Sequence, residues 1–342
     1  MQNVTAQQTT EQAEAMEAGG VEVLAAGLAD PSAAVRDAAL TALRRLGTAA
    51  RPALAAVLPL LGNRREETSA RWVLEAMGPS VVPELLAVRA GGPGRLRRHA
   101  LHALAHLGGC AGLTDRDRAA LERLVRIKLL DDPVPDELWD HQWIAVPGDT
   151  YEAAFEALGL CDRIPATLAM GLSGRMHDEA SVTLPDGTLR VAERVFVTPE
   201  IGGWRLFFGR ALLNSPDNGS LERVADACGQ AHYHYRDEYE DCHHWAVAER
   251  GRGVVRSYQT YREPAFTGEP LAWEEPQTDD PLWEPGRYEP NASLECDAHA
   301  VAGRLSVDPE EIDEDTPMTG HGWFALTAPG VGHGAFAGVL TI

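Results

Sequence analysis

The densest set of side chains able to do chemistry lies between residues 232 and 244: His232, His234, Asp237, Glu238, Asp241, Cys242, His243 and His244. Imidazoles and carboxylates packed this closely can exchange protons or ligate a metal. Which of them can meet depends on the backbone. AHYHYRDEY and HHWAVAE alternate as strands do, so neighbouring side chains point to opposite faces. With a turn at 240–242, Tyr233 and Tyr235 share a core face with Trp245 and Val247. His232, His234, Arg236 and Glu238 then point to an opposite, solvated face, with His244 near Glu238. The candidate catalytic set is therefore His232, His234, His244 and Glu238, with His244–Glu238 as an acid–base pair. Two histidines two residues apart on a strand hold a metal only with help from another element. No nucleophile or phosphate loop stands beside them, and neither a metal nor a cofactor is expected. A solvated polar face is the plainer alternative.

A second set is spaced for a helix. His99, His102 and His106 stand at i, i+3 and i+7 of LRRHALHALAHLG, one stripe beside the apolar face of Ala100, Ala103, Leu104 and Leu107. That helix is one of three with the same ending. Leu46-Gly47, Met77-Gly78 and Leu107-Gly108 follow one another at intervals of 31 and 30 residues, and the closing glycines suit the left-handed turn that ends a helix. Each is preceded by a second apolar stretch, with Pro52 and Pro83 near the starts and Pro59 placed to kink one of them. A helix pair this short cannot bury its stripe alone, so neighbouring pairs must stack.

DPSAAVRDAALTALRRLG resembles a HEAT-like repeat of the phycobilisome-lyase type through Asp30-Pro31, Val35-Arg36 and the Ala-x-x-Ala-Leu spacing. The resemblance covers roughly residues 20–130. It implies an α-solenoid of about three repeats and carries no lyase activity with it, since such repeats serve many functions. In such arrays the second helix of each pair lines the concave side. Alignment on the final glycines brings Thr41, Arg45, Ser69 and Trp72 beside the three histidines. The candidate binding surface is thus Arg45, Trp72, His99, His102 and His106, an aromatic among donors. A solvated seam between repeats is the bland alternative.

Beyond residue 133 the period changes. Trp143–Pro147 reads as a strand and 149–159 as a helix. β-formers cluster at 180–184, 191–197 and 203–209, with Asp186-Gly187 as a hairpin signal. A helix at 220–229, capped by Ser220, precedes the two histidine strands and VVRSYQTY. This order predicts an α+β domain on a mostly antiparallel sheet over 133–262. WIAVPGD, VFVTPEIGGWRLFFG, HHWAVAERGRGVVRSY and VAGRLSVDP are similar to phrases in actinobacterial HEAT-repeat-containing proteins, which implies a shared fold and no particular activity. Residues 263–292 read as a Pro-, acid- and Trp-rich linker, and 293–342 as a small C-terminal segment with a short helix at 293–304. Six carboxylates between Asp308 and Asp315 lack the central glycine of a calcium loop and read as a solvated acidic loop. The late glycines form no G-x-G-x-x-G in a strand-to-helix setting, so no nucleotide site is expected.

Charge narrows the partners. Residues 21–130 hold 16 basic and 10 acidic side chains, and 131–342 hold 14 and 38, within a net charge of −21. Most of the molecule repels phosphates, which disfavours nucleic acid except at the basic front. Five dispersed cysteines without a C-x-x-C suit free thiols in a reducing cytoplasm. No apolar run is long enough for a membrane helix. Residues 1–19, polar and acidic, read as a flexible leader without the features of a signal peptide. These observations point to a cytoplasmic scaffold or adaptor that binds a protein or peptide on the solenoid's concave face. The alternatives are a biosynthetic enzyme or accessory protein using the His/Glu set, and nucleic-acid binding by the basic front.

Overall fold

The computed structural model describes residues 20–108, 113–134, 141–174, 179–184, 186–213, 215–237, 240, 242–260, 265–271, 273–274 and 297–336. The leader at 1–19, most of the linker at 263–292, and Glu238 and Asp241 lie outside the described residues. The chain divides into two units between Ala119 and Ala120. Sequence had placed this boundary at 132/133. The helix that carries the division is tied to the first unit through Asp117, which accepts from Arg89 at 2.8 Å.

The first unit is helical. Its helices are α1 (Gly20–Gly27), α2 (Ala33–Leu46), α3 (Glu67–Met77), α4 (Val82–Gly91), α5 (Gly94–Gly108) and the start of α6 (Asp115–Lys128). Their apolar stripes meet in a core that includes Leu40, Leu43, Val57, Leu61, Val73, Leu74, Leu85 and Leu104. Each such side chain contributes about 1.5–3 kcal/mol on leaving water. Between α2 and α3 the backbone is broken into short 3-10 and α turns, with Leu54–Val57 giving way to Leu58–Gly62 at Pro59. Gly47 and Gly78 end their helices at φ of 57° and 71°. Their ψ values of −127° and −162° lie outside the left-handed helical region that the sequence suggested, in a region open to glycine. Ion pairs join positions about thirty residues apart: Arg36 with Glu66 at 2.7 Å, Arg51 with Glu84 at 2.5 Å, and Arg89 with Asp117 at 2.6 Å.

The second unit is α+β, built on a large antiparallel sheet. Its strands are β1 (Gln142–Pro147), β2 (Cys161–Ala166), β3 (Glu179–Thr183), β4 (Leu189–Val197), β5 (Glu200–Ile201), β6 (Trp204–Phe208), β7 (Gln230–Asp237), β8 (Cys242–Glu249), β9 (Gly253–Gln259), β10 (Ala265–Gly268), β11 (Met318–Thr319) and β12 (Gly322–Leu326). They run in the order β10-β9-β8-β7-β1-β6-β4-β12-β2, with β3 on β4 and β11 on β5. On one face, α7 (Glu152–Ala157) and, after the short α8 (Leu168–Gly174), α9 (Ser220–Cys228) cover Ile144, Val146, Val195, Val197, Phe207 and Tyr233. Leu221, Val224, Ala225 and Cys228 supply the apolar stripe of α9. Gly219, at φ 73°, takes the cap position expected of Ser220, which becomes the first helical residue.

Two expectations need correction. The described part of 293–342, residues 297–336, is not a separate segment: β12 lies inside the sheet between β4 and β2, and α10 (Ala298–Leu305) packs on β7 and β8. The region 263–292 is also tied in at its start, through β10 and the buried Glu274. Long-range pairing of this kind leaves no local pattern to read.

Candidate functional site

The strand histidines do not form one constellation. β7 and β8 pair as Asp237↔Cys242, Tyr235↔His244, His234↔Trp245 and His232↔Val247. The connection is 238–241, four residues where the sequence suggested three. One residue of difference exchanges the faces of the partner strand. His232 and His234 therefore share a face with Trp245 and Val247, while His244 lies on the other face against Tyr233, ring centroids 5.2 Å apart. The sheet separates His244 from the pair it was expected to join, and Glu238 lies outside the described residues.

Nor is the His232–His234 face solvated. His234 is fully buried, stacked on Trp143 at 5.0 Å, and His232 sits 4.7 Å from Trp204. Burial pushes the His232 pKa down to about 4, and burial with His232 and His299 nearby holds His234 far below the usual imidazole range. The Ala298 carbonyl offsets the latter in part, without a hydrogen bond of ordinary geometry. His299, on α10, was not singled out by sequence. Its ring packs 4.9 Å from Trp143, and its Nδ1 meets Asp308 at 2.6 Å. Asp308 is thus buried rather than part of a solvated acidic loop, and it also accepts from Glu310 N to start the turn 309–311. The group works as a clasp that fixes α10 and the following turn to the sheet. Among the described residues no cluster of three or more His, Cys, Asp or Glu side chains could hold a metal ion.

The helical set is closer to its expected form. α2, α3 and α5 lie against one another in that order. Trp72 on α3 is 41% exposed, large for an indole with a folded neighbour on each side. The Arg44 guanidinium from α2 lies over its ring at 4.8 Å. An exposed cation–π contact of this kind is worth about 0.5–1 kcal/mol and fixes the indole's orientation. Glu75 feels both Arg44 and Arg71, and Arg71 Nε is 3.5 Å from its carboxylate. Burial is the larger influence on Glu75 and raises its pKa. His102, half-buried on α5, has a lowered pKa, first through burial and then through Arg71 and His99. It is held neutral, able to donate and accept.

Of the expected surface, Trp72 and His102 belong to this line, and Arg45 is exposed one residue beyond the arginine that touches Trp72. His99 departs from it. It is buried, and its Nδ1 meets Glu67 of α3 at 2.5 Å, so it joins helices rather than offering a free imidazole. The helical turn places His106 on α5, and its side chain lies outside the described residues. Sequence reasoning missed the roles of Arg44, Arg71 and Glu75. The i, i+4 pair Arg71–Glu75 was the available signal.

Among the described residues no helix is long and apolar enough to cross a membrane. No family model matches the sequence, and no curated protein or solved structure matches it either.

Proposed function

We propose that the first unit is a HEAT-like array whose second helices, α2, α3 and α5, dock an acidic segment of a protein partner carrying an apolar side chain. The observation behind this reading is Trp72, exposed and held flat by Arg44 in a line with Arg71 and His102. An indole supplies contact area at little entropic cost, and the exposed Arg44 and Arg45 beside it select carboxylates. The repeat-spaced ion pairs support the stacked arrangement. Nucleic acid is the weaker reading, because Arg36, Arg51, Arg71 and Arg89 each stand within ion-pair distance of a carboxylate and are poorly placed to neutralise phosphates. A protein acting in this way in the cytoplasm suits the dispersed thiols, and Cys161, Cys228 and Cys242 are unpaired.

The test is a peptide array of acidic and basic 12-mers, with and without tryptophan or leucine, probed with the full chain. Acidic peptides with an apolar residue should bind, more weakly as salt rises. Trp72→Ala with Arg44→Ala should weaken binding about tenfold or more. Equal binding of acidic and basic peptides, or an unaffected double variant, refutes the reading. A gel shift with duplex DNA that the double variant abolishes would favour the nucleic-acid alternative instead.

A further inference from the structure

Arg205 is an exceptional ion among the described residues of the second unit. It lies on β6, opposite Val146 of β1, and only 6% of its surface reaches solvent. A buried guanidinium ordinarily meets a carboxylate, because an uncompensated charge is costly to desolvate. Arg256 on β9 illustrates the ordinary case, gripped by both oxygens of Glu274. Arg205 has no carboxylate within ion-pair distance among the described residues. Glu200 and Glu152 are near enough to favour its charged form, but burial is the larger influence and lowers its pKa.

The surroundings position this cation with care. Nη1 donates to the carbonyls of Thr198 at 2.7 Å and His321 at 3.0 Å. The guanidinium lies over the Tyr151 ring at 4.0 Å. Tyr151 is fixed in turn, with its hydroxyl facing Glu152 and Trp323, and Glu152 is held by Arg163 at 2.5 Å. Nε is buried and makes no hydrogen bond. Nη2 makes none with the described residues either and is not sealed from solvent. It points toward Gly320, an exposed residue at φ 77°, where an added Cβ would come within 3.1 Å of it. The one open donor of a buried, oriented cation thus faces a position kept bare of a side chain.

We propose that Arg205 Nη2 is the anchor of a binding site for a small carboxylate, with Tyr151 as its shelf and Gly320 at its mouth. Charge selects within the anions. The chain's −21 and the nearby Glu200 disfavour a polyanion such as a phosphate ester. Glu200, paired on β5 with Thr319 beside Gly320, also offers an acceptor to a cationic group on the same ligand. The class that fits both is an amino-carboxylate, with its carboxylate at Arg205 and its ammonium toward Glu200. Binding exchanges water for a charge-assisted hydrogen bond in a partly desolvated setting.

The experiment is titration calorimetry on the full chain with the standard amino acids, acetate, methylammonium and inorganic phosphate at fixed ionic strength. At least one amino acid should bind saturably, acetate more weakly, and methylammonium and phosphate not at all. Arg205→Gln should weaken binding about ten- to a hundredfold. Gly320→Ala adds a methyl beside Nη2 at a strained positive-φ position and, in protein that still folds, should do likewise by closing the mouth. If either variant fails to fold, the ligand series on the wild-type protein decides, since amino acids that bind no more tightly than methylammonium overturn the proposal. Glu200→Gln should reduce the preference for amino acids over acetate while sparing acetate. No saturable binding of any carboxylate, or binding unchanged in a folded Arg205→Gln or Gly320→Ala protein, overturns the proposal.

Discussion

Acid should destabilise the second unit through His232. The imidazole is 2% exposed and packed against Trp204, and desolvation alone takes its pKa from 6.5 to about 4. The folded state resists protonation that the unfolded chain accepts freely. Between pH 6.5 and 4 the unfolded chain therefore binds more protons, and stability falls as pH falls. The contribution is complete above pH 6.5 and exhausted near pH 4. At 1.36 kcal/mol per unit the full span is worth about 3 kcal/mol, of which about 2 kcal/mol is lost by pH 5.

The wild-type curve does not isolate this effect. Asp132, pushed up to about 6 by burial despite a hydrogen bond from Leu168 N, titrates in the opposite sense and gains stability as pH falls through 6. His234 titrates in the same sense as His232. The comparison that isolates His232 is urea unfolding of wild type and His232→Phe at pH 7.5 and pH 5, followed by tryptophan fluorescence. Phenylalanine keeps the ring beside Trp204 and removes the titration. The stability difference between the two proteins should move by about 2 kcal/mol toward the variant as pH drops. Parallel shifts in both proteins would refute the argument, because they would place the protonation elsewhere.

Other consequences concern the elements that hold the sheet and its covering helix. Glu274→Ala strands the buried Arg256 cation and should cost about 3–5 kcal/mol, read from the urea midpoint, whereas Arg256→Met with Glu274→Leu should recover most of it. Asp297 caps α10 by accepting from His299 N and Ala300 N, so Asp297→Ala should lower stability by about 1 kcal/mol. Gly268 ends β10 at φ 84° with the Val255 carbonyl 2.0 Å from any added Cβ. Gly268→Ala should therefore destabilise by about 2 kcal/mol or more in thermal unfolding.

What the sequence disclosed follows from the range of the forces involved. The paired helices of the first unit and strands β1, β3, β4 and β6–β9 were legible, because the apolar period and the punctuation at Gly47, Gly78 and Asp186-Gly187 are local signals, whereas β2, β10 and β12 were not. The helical placement of Trp72 and His102 was legible for the same reason. Arg205 left no such mark: it is one arginine among 29, and its isolation from carboxylates exists only once β1, β6 and the 318–323 segment have met.

The histidine strand shows why alternation can mislead. β7 presents His232, His234 and Arg236 on one face, a pattern that ordinarily marks the side in water. That inference assumes nothing later in the chain covers the face. Here α10, about sixty residues downstream, lays Val301 against Trp245 and Val247 and brings His299 and Ala298 over His234. Histidine tolerates this where lysine or glutamate would not, since its neutral form is accessible at ordinary pH with a modest shift. A polar face made of histidines and bordered by tryptophan is therefore ambiguous in a way that a face of lysines is not. The same neutrality that permits burial ties the covered face to pH, so the acid response of His232 tests whether that face is shut from water as directly as it tests the imidazole.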